Sequence, residues 1–162
     1  PANICVGGDS AGGNLAAVVA IDARDNKGPA LKGQVLIYPA TDFRGNHPSH
    51  SELETSILLT HSVIKWFSNH YIRNEADKEN WRASPARVND LSRLPPAYVM
   101  TAGADPLRDE GDEYAKRLRE AGVPVAYKHY PGQFHGFFTM GKLLNQANVA
   151  VKDIAGWLKT LS

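Results

Sequence analysis

Residues 3–16 read Asn3-Ile4-Cys5-Val6-Gly7-Gly8-Asp9-Ser10-Ala11-Gly12-Gly13-Asn14-Leu15-Ala16: an apolar run, a glycine-rich turn, then a helical pattern. Inside it, Gly8-Asp9-Ser10-Ala11-Gly12 fits G-x-S-x-G. A serine hydroxyl is a poor nucleophile unless a base takes its proton and a substrate carbonyl can reach it. A sharp strand-to-helix turn presents the hydroxyl, but it strains the serine backbone and crowds the residues two before and two after. Gly8 and Gly12 relieve that crowding. The Ala11 N–H then lies at a helix N-terminus, where it points at a developing oxyanion. Two other readings compete. The glycines can simply make a tight strand–helix connection, or they can cradle phosphate. The phosphate reading is the weaker one, because the stretch is neither G-x-G-x-x-G nor G-x-x-x-x-G-K-[ST] and Asp9 would repel an anion.

Further apolar runs at 35–38, 97–101 and 125–130 join 4–6 as expected strands. The first three of the four are near-continuous, the pattern of parallel strands covered on both faces. Helical patterns lie between them. Residues 13–24 are apolar nearly all round, which predicts a buried helix. Residues 110–121 are amphipathic and stop at Gly122 and Pro124. The last helix places Ala147, Ala150, Val151, Ile154, Ala155, Leu158 and Leu161 on one stripe. This alternation predicts an α/β layer fold with a mostly parallel sheet. Residues of about 40–85 are too many for a simple crossover. They read as an insertion over the strand ends, with a helix at 62–72, Thr60 near its N-cap, and Trp66, Phe67 and Tyr71 available to cover something.

If Ser10 is a nucleophile, its partners must come from the same sheet edge, because functional groups gather at the carboxyl ends of strands. The third strand runs into Gly103-Ala104-Asp105-Pro106-Leu107-Arg108-Asp109, and the fourth into Pro131-Gly132-Gln133-Phe134-His135-Gly136. The chain order is serine, carboxylate, histidine. Among six histidines, His135 has the best position. His129 lies within a strand, His61 and His70 lie on the insertion helix, and His47 and His50 have no recognised metal-ligand spacing. The acid is less defined. Asp105 is closest to the strand end, although it would also serve as a turn cap. Asp109, Glu110 and Asp112 are expected near a helix start for dipole reasons alone.

Composition excludes other classes. The 162 residues are 43% hydrophobic and 22% charged, with 18 basic against 17 acidic side chains and a net charge of +1. That leaves no basic face for nucleic acid, no disordered composition and no apolar stretch of membrane-spanning length. A single cysteine, Cys5, excludes an intrachain disulfide or a cysteine zinc site. A cytoplasmic location is the expectation, although the chain opens without an initiator Met, so a targeting region would not be visible.

These motifs together resemble the hormone-sensitive lipase family of α/β-hydrolases, in its bacterial carboxylesterase branch. The matching segments are residues 8–16, Leu94-Pro95-Pro96-Ala97 with residues 103–111, Tyr130-Pro131-Gly132 with His135-Gly136-Phe137, and Trp81-Arg82-Ala83-Ser84-Pro85. The resemblance implies Ser10 as nucleophile, Asp105 as acid, His135 as general base and no cofactor. It also implies hydrolysis of short-to-medium acyl esters through an acyl-enzyme. The histidine must be neutral to act, so activity is expected to fall on acidification. The family carries a His-Gly-Gly-Gly oxyanion loop upstream of the nucleophile, and no such tetrapeptide occurs in these 162 residues. The chain is therefore expected to be the C-terminal half of an enzyme, with the first strands and N-terminal cap absent. Pairing into a homodimer through the last strand and helix is a further family expectation. Two rivals stand beside the esterase: a serine peptidase of the same fold, and a non-catalytic hydrolase-fold receptor, which the presence of His135 disfavours.

Overall fold

The computed structural model describes residues 3–161. Its four strands, β1 (Ile4–Asp9), β2 (Leu31–Ile37), β3 (Ala97–Ala104) and β4 (Val125–Phe134), form one parallel sheet in the order β1-β2-β3-β4. The helices are α1 (Ala11–Asp25), α2 (Pro48–Glu52), α3 (His61–Tyr71), α4 (Arg108–Glu120) and α5 (Asn145–Lys159), with short 3₁₀ turns at Glu75–Glu79, Pro85–Arg87 and Phe137–Thr139. This is the α/β-layer architecture expected from the alternation of patterns, and among the described residues no helix is long and apolar enough to cross a membrane.

Successive side chains of a strand point to opposite faces, and the core follows that rule. Leu36 and Val99 face α1 and α4, where they meet Ala17, Ile21, Tyr114 and Leu118. Val35, Ile37, Tyr98 and Met100 face the other side, against Phe137 and the Ala147, Ala150 and Ile154 stripe of α5. Each fully buried aliphatic side chain contributes roughly 1.5–3 kcal/mol relative to exposure, so these two layers hold β2 and β3 as the fixed centre.

Helix α4 closes as its sequence predicts. Gly122 takes φ +81°, Gly122 N donates to Arg119 O and Val123 N donates to Leu118 O, so the last carbonyls are satisfied. Two expectations are corrected. Strand β1 is not covered on both faces: its residues alternate between half-buried and exposed, so one face is uncovered among the described residues. Helix α1 is not buried all round, since Leu15 is 55% and Val19 47% exposed among the described residues. In the insertion, α3 lies within one residue of the expected 62–72 helix at each end, and Thr60 is its N-cap, accepting from Val63 N.

Candidate active site

The four strands end side by side, and the residue that follows each is Ser10, Tyr38, Asp105 or His135. Ser10 adopts φ +53°, a strained conformation for a residue with a Cβ. The turn is held by Ser10 N donating to Ile37 O (2.9 Å) and by Asn14 N donating back to Ser10 O (3.1 Å). A Cβ at Gly8 would stand 2.4 Å from the Gly12 backbone, so the glycine there is obligatory. Ala11 opens α1, where the first-turn N–H groups have no intrahelical acceptor.

Asp105 and His135 meet through an irregularity in the sheet. Register shifts between Ala102 and Ala104, which pair with Tyr130 and Phe134, so β4 gains extra length at its end. The close crossing leaves no room for a side chain at Gly103, whose Cβ would lie 2.1 Å from Pro131 O. The Asp105 carboxylate is fully buried; its Oδ1 accepts from Leu107 N (2.8 Å) and its Oδ2 from His135 Nδ1 (2.7 Å). A carboxylate only accepts, so Nδ1 carries the proton and Nε2 of the neutral ring is the acceptor. The Ser10 hydroxyl donates to that nitrogen at 2.9 Å. The Tyr38 ring packs 4.7 Å from the imidazole. Burial, with the charges of Asp9 and Asp105 nearby, pushes the Tyr38 phenol well above its ordinary range, so it stays neutral.

The hydroxyl and imidazole stand at one end of an apolar cavity of about 450 Å³. Leu15, Phe43, Val63, Phe67 and Tyr71 form much of its wall. Phe67 and Tyr71 were expected to cover something and do so, but Trp66 does not line the cavity; it packs against His70 (4.3 Å) and Phe67 (5.0 Å) instead. Val63 and Ile64 were missed, though with Phe67 and Tyr71 they share one side of α3 at helical spacing, a signal readable in the sequence.

The other candidates are engaged elsewhere. Asp109 accepts from Ser49 N (2.8 Å), and Asp112 accepts from the Tyr127 hydroxyl. Glu110 is buried and pairs with His50. His47 lies near Asp42 and Glu113, His129 hydrogen-bonds to Thr101, and His61 and His70 are exposed on α3. Of the four acidic candidates, only Asp105 contacts His135.

Residues 1–139 match the profile of the α/β-hydrolase fold family. The carboxylic ester hydrolase LipN of Mycobacterium tuberculosis is 44% identical over 148 residues, which cover 88% of this chain and 39% of the relative. The ethyl acetate hydrolase of Pseudomonas putida is 36% identical over 146 residues, covering 90% of this chain and 46% of the relative. The crystal structure of an esterase from Pyrobaculum calidifontis superposes with a TM-score of 0.93 at 44% identity, over 98% of this chain and 52% of that one. The chain thus spans about half the length, or less, of these relatives. With the parallel sheet, the strained serine turn and a profile matched over most of its length, the chain belongs to the hormone-sensitive lipase-like family of α/β-hydrolases.

Proposed function

We propose that this chain carries the Ser10–His135–Asp105 triad of a carboxylic ester hydrolase. The observation that carries the proposal is the unbroken hydrogen-bond run from the Ser10 hydroxyl through both imidazole nitrogens to a buried carboxylate, beside an apolar cavity. Ser10 Oγ attacks the ester carbonyl while His135 Nε2 takes its proton. Asp105 holds the ring tautomer and stabilises the imidazolium, and the Ala11 N–H donates to the oxyanion. The C–O bond to the alcohol then breaks, and the alcohol leaves with the proton from His135. Water attacks the acyl-enzyme by the same route and releases the acid.

The cavity wall is apolar, which suits the hydrocarbon part of a short-to-medium ester. The names of the relatives, an ethyl acetate hydrolase among them, support small carboxylic esters over peptides. The chemistry requires no cofactor. Self-association through β4 and α5 belongs to the same reading, and sedimentation at rising concentration would detect it.

Among the described residues the proposed oxyanion donor is the Ala11 N–H alone, and removing a single such donor typically costs about 10²–10³ in turnover. The 162-residue chain is therefore expected to hydrolyse an aryl acetate slowly, yet to be labelled once, at Ser10, by an organophosphonate. Mass spectrometry of the labelled chain checks this. A folded chain that takes no label would favour a non-catalytic binder, and faster cleavage of peptide anilides than of esters would favour a peptidase.

A further inference from the structure

Residues 39–42 leave the end of β2 as a short strap that touches both sides of the site. On the nucleophile side, Ala40 N donates to Ser10 O (3.2 Å) and Asn14 Nδ2 donates to Ala40 O (2.8 Å). A Cβ at Gly13 would lie 2.9 Å from Pro39, so strap and α1 are in close contact. On the acid side, Thr41 N (2.6 Å) and Asp42 N (3.2 Å) both donate to Glu110 Oε1, and Thr41 Oγ1 donates to Glu110 O (3.0 Å). The second oxygen, Oε2, lies 2.7 Å from His50 Nε2.

Glu110 is only 2% exposed. Charge at a helix N-terminus explains an acid in the first turn of α4, but it does not explain burial, which is costly for a carboxylate unless its oxygens are satisfied. Here both oxygens are satisfied, by groups from two other segments. We infer that Glu110 is a positioning residue for the proposed site. It fixes the strap, and through the Ala40 N–H it fixes the carbonyl of Ser10, so that the serine hydroxyl is held at bonding distance from His135. This rests on the reading of Ser10 as nucleophile. Asp105 reaches His135 from its own loop, so the histidine–aspartate bond is independent of Glu110 while the serine–histidine bond depends on it.

That division gives the test. Three variants of the 162-residue chain are compared with wild type: Glu110→Ala, Glu110→Gln, which keeps an acceptor for the two amides, and Leu118→Ala, a core control on the same helix away from the strap. In Glu110→Ala the Ala40 amide is expected to exchange with solvent about tenfold faster than in the Leu118→Ala control. Organophosphonate labelling of Ser10 slows by about ten- to a hundredfold, the scale of a misplacement near 1 Å, while the low-field proton resonance of His135 Nδ1 persists. Glu110→Gln stays within about threefold of wild type, and His50→Ala falls between, since it leaves one Glu110 oxygen unpaired. If Glu110→Ala does not fold, His50→Ala and Glu110→Gln carry the same comparison. Equal Ala40 exchange and equal labelling in Glu110→Ala and Leu118→Ala would overturn the positioning role. A wild-type chain that takes no label would overturn the nucleophile reading alone, and Ala40 exchange would still decide whether Glu110 holds the strap.

Discussion

Two buried histidine–carboxylate pairs share a 2.7 Å length and draw their carboxylates from neighbouring stretches of chain, yet differ in nearly everything else: His135 with Asp105, and His50 with Glu110. In the first, the carboxylate's other oxygen takes one amide of its own loop, and the far imidazole nitrogen meets the Ser10 hydroxyl beside a cavity. In the second, the carboxylate's other oxygen takes two amides from a different segment, and the histidine's ring nitrogen Nε2 meets only that carboxylate. The pair itself therefore says little about function. What each pair does is set by the groups on its outer ends: one end presents an acceptor to a hydroxyl, the other fastens backbone to backbone.

The sharpest way to break this contrast is to neutralise each carboxylate in turn. Asp105→Asn preserves shape and burial but imposes the wrong ring tautomer on His135, and the rate of Ser10 labelling is expected to fall about 10⁴-fold with the thermal midpoint little changed. Glu110→Ala leaves two buried amides and an imidazole without an acceptor, and its main signature is stability. Breaking a buried pair of this kind costs about 3–5 kcal/mol, a drop in midpoint of roughly 10 °C for a chain of this size. Calorimetry and labelling kinetics on the two variants check both. If Asp105→Asn proves as destabilising as Glu110→Ala, the division between a chemical pair and a structural pair is wrong.

Much of this was legible in the sequence, for identifiable reasons. The strained serine turn announces itself because only glycine fits at position 8, and a pattern forced by sterics survives as a motif. The β2 and β3 runs were legible because both faces of those strands are covered, which demands unbroken apolar residues. The same rule misread β1, where Cys5 and Val6 look equally apolar but alternate residues are exposed. Burial of a strand is a property of its neighbours, and those lie far along the chain. Glu110 was misjudged for the same reason. An acid in the first turn of a helix has a sufficient local explanation, and nothing local to residue 110 shows that Thr41, Asp42 and His50 converge on it from about 60 to 69 positions away.

His47 with Asp42 makes a third, looser pair, and it sharpens the comparison by grading it. The distance from His47 Nε2 to Asp42 Oδ2 is 3.7 Å, an ion-pair separation rather than a hydrogen bond, and His47 Nδ1 stands 3.6 Å from Glu113 Oε2. Interaction with the Asp42 carboxylate, assisted by the charges of Glu110 and Glu113, raises the His47 pKa above its ordinary value against the opposing effect of burial. Burial would raise Asp42 in turn, but His47 and Arg44 outweigh it and hold that carboxyl well below the usual range. The signs then follow. Asp42 has a depressed folded-state pKa, so its contribution is present above the unfolded value and is lost only as pH falls through the folded one. His47 has a raised folded-state pKa, so its contribution is full below about 6.5, the unfolded value, and disappears as pH rises through the folded value. The His47–Asp42 separation is that of a loose ion pair and Glu113 is exposed, so the effect is expected to be under about 1 kcal/mol. Urea melts from about pH 5 to about pH 8 should show wild type losing its small advantage over His47→Gln as the pH rises. A constant difference between the two across that range would mean that His47 contributes by packing alone.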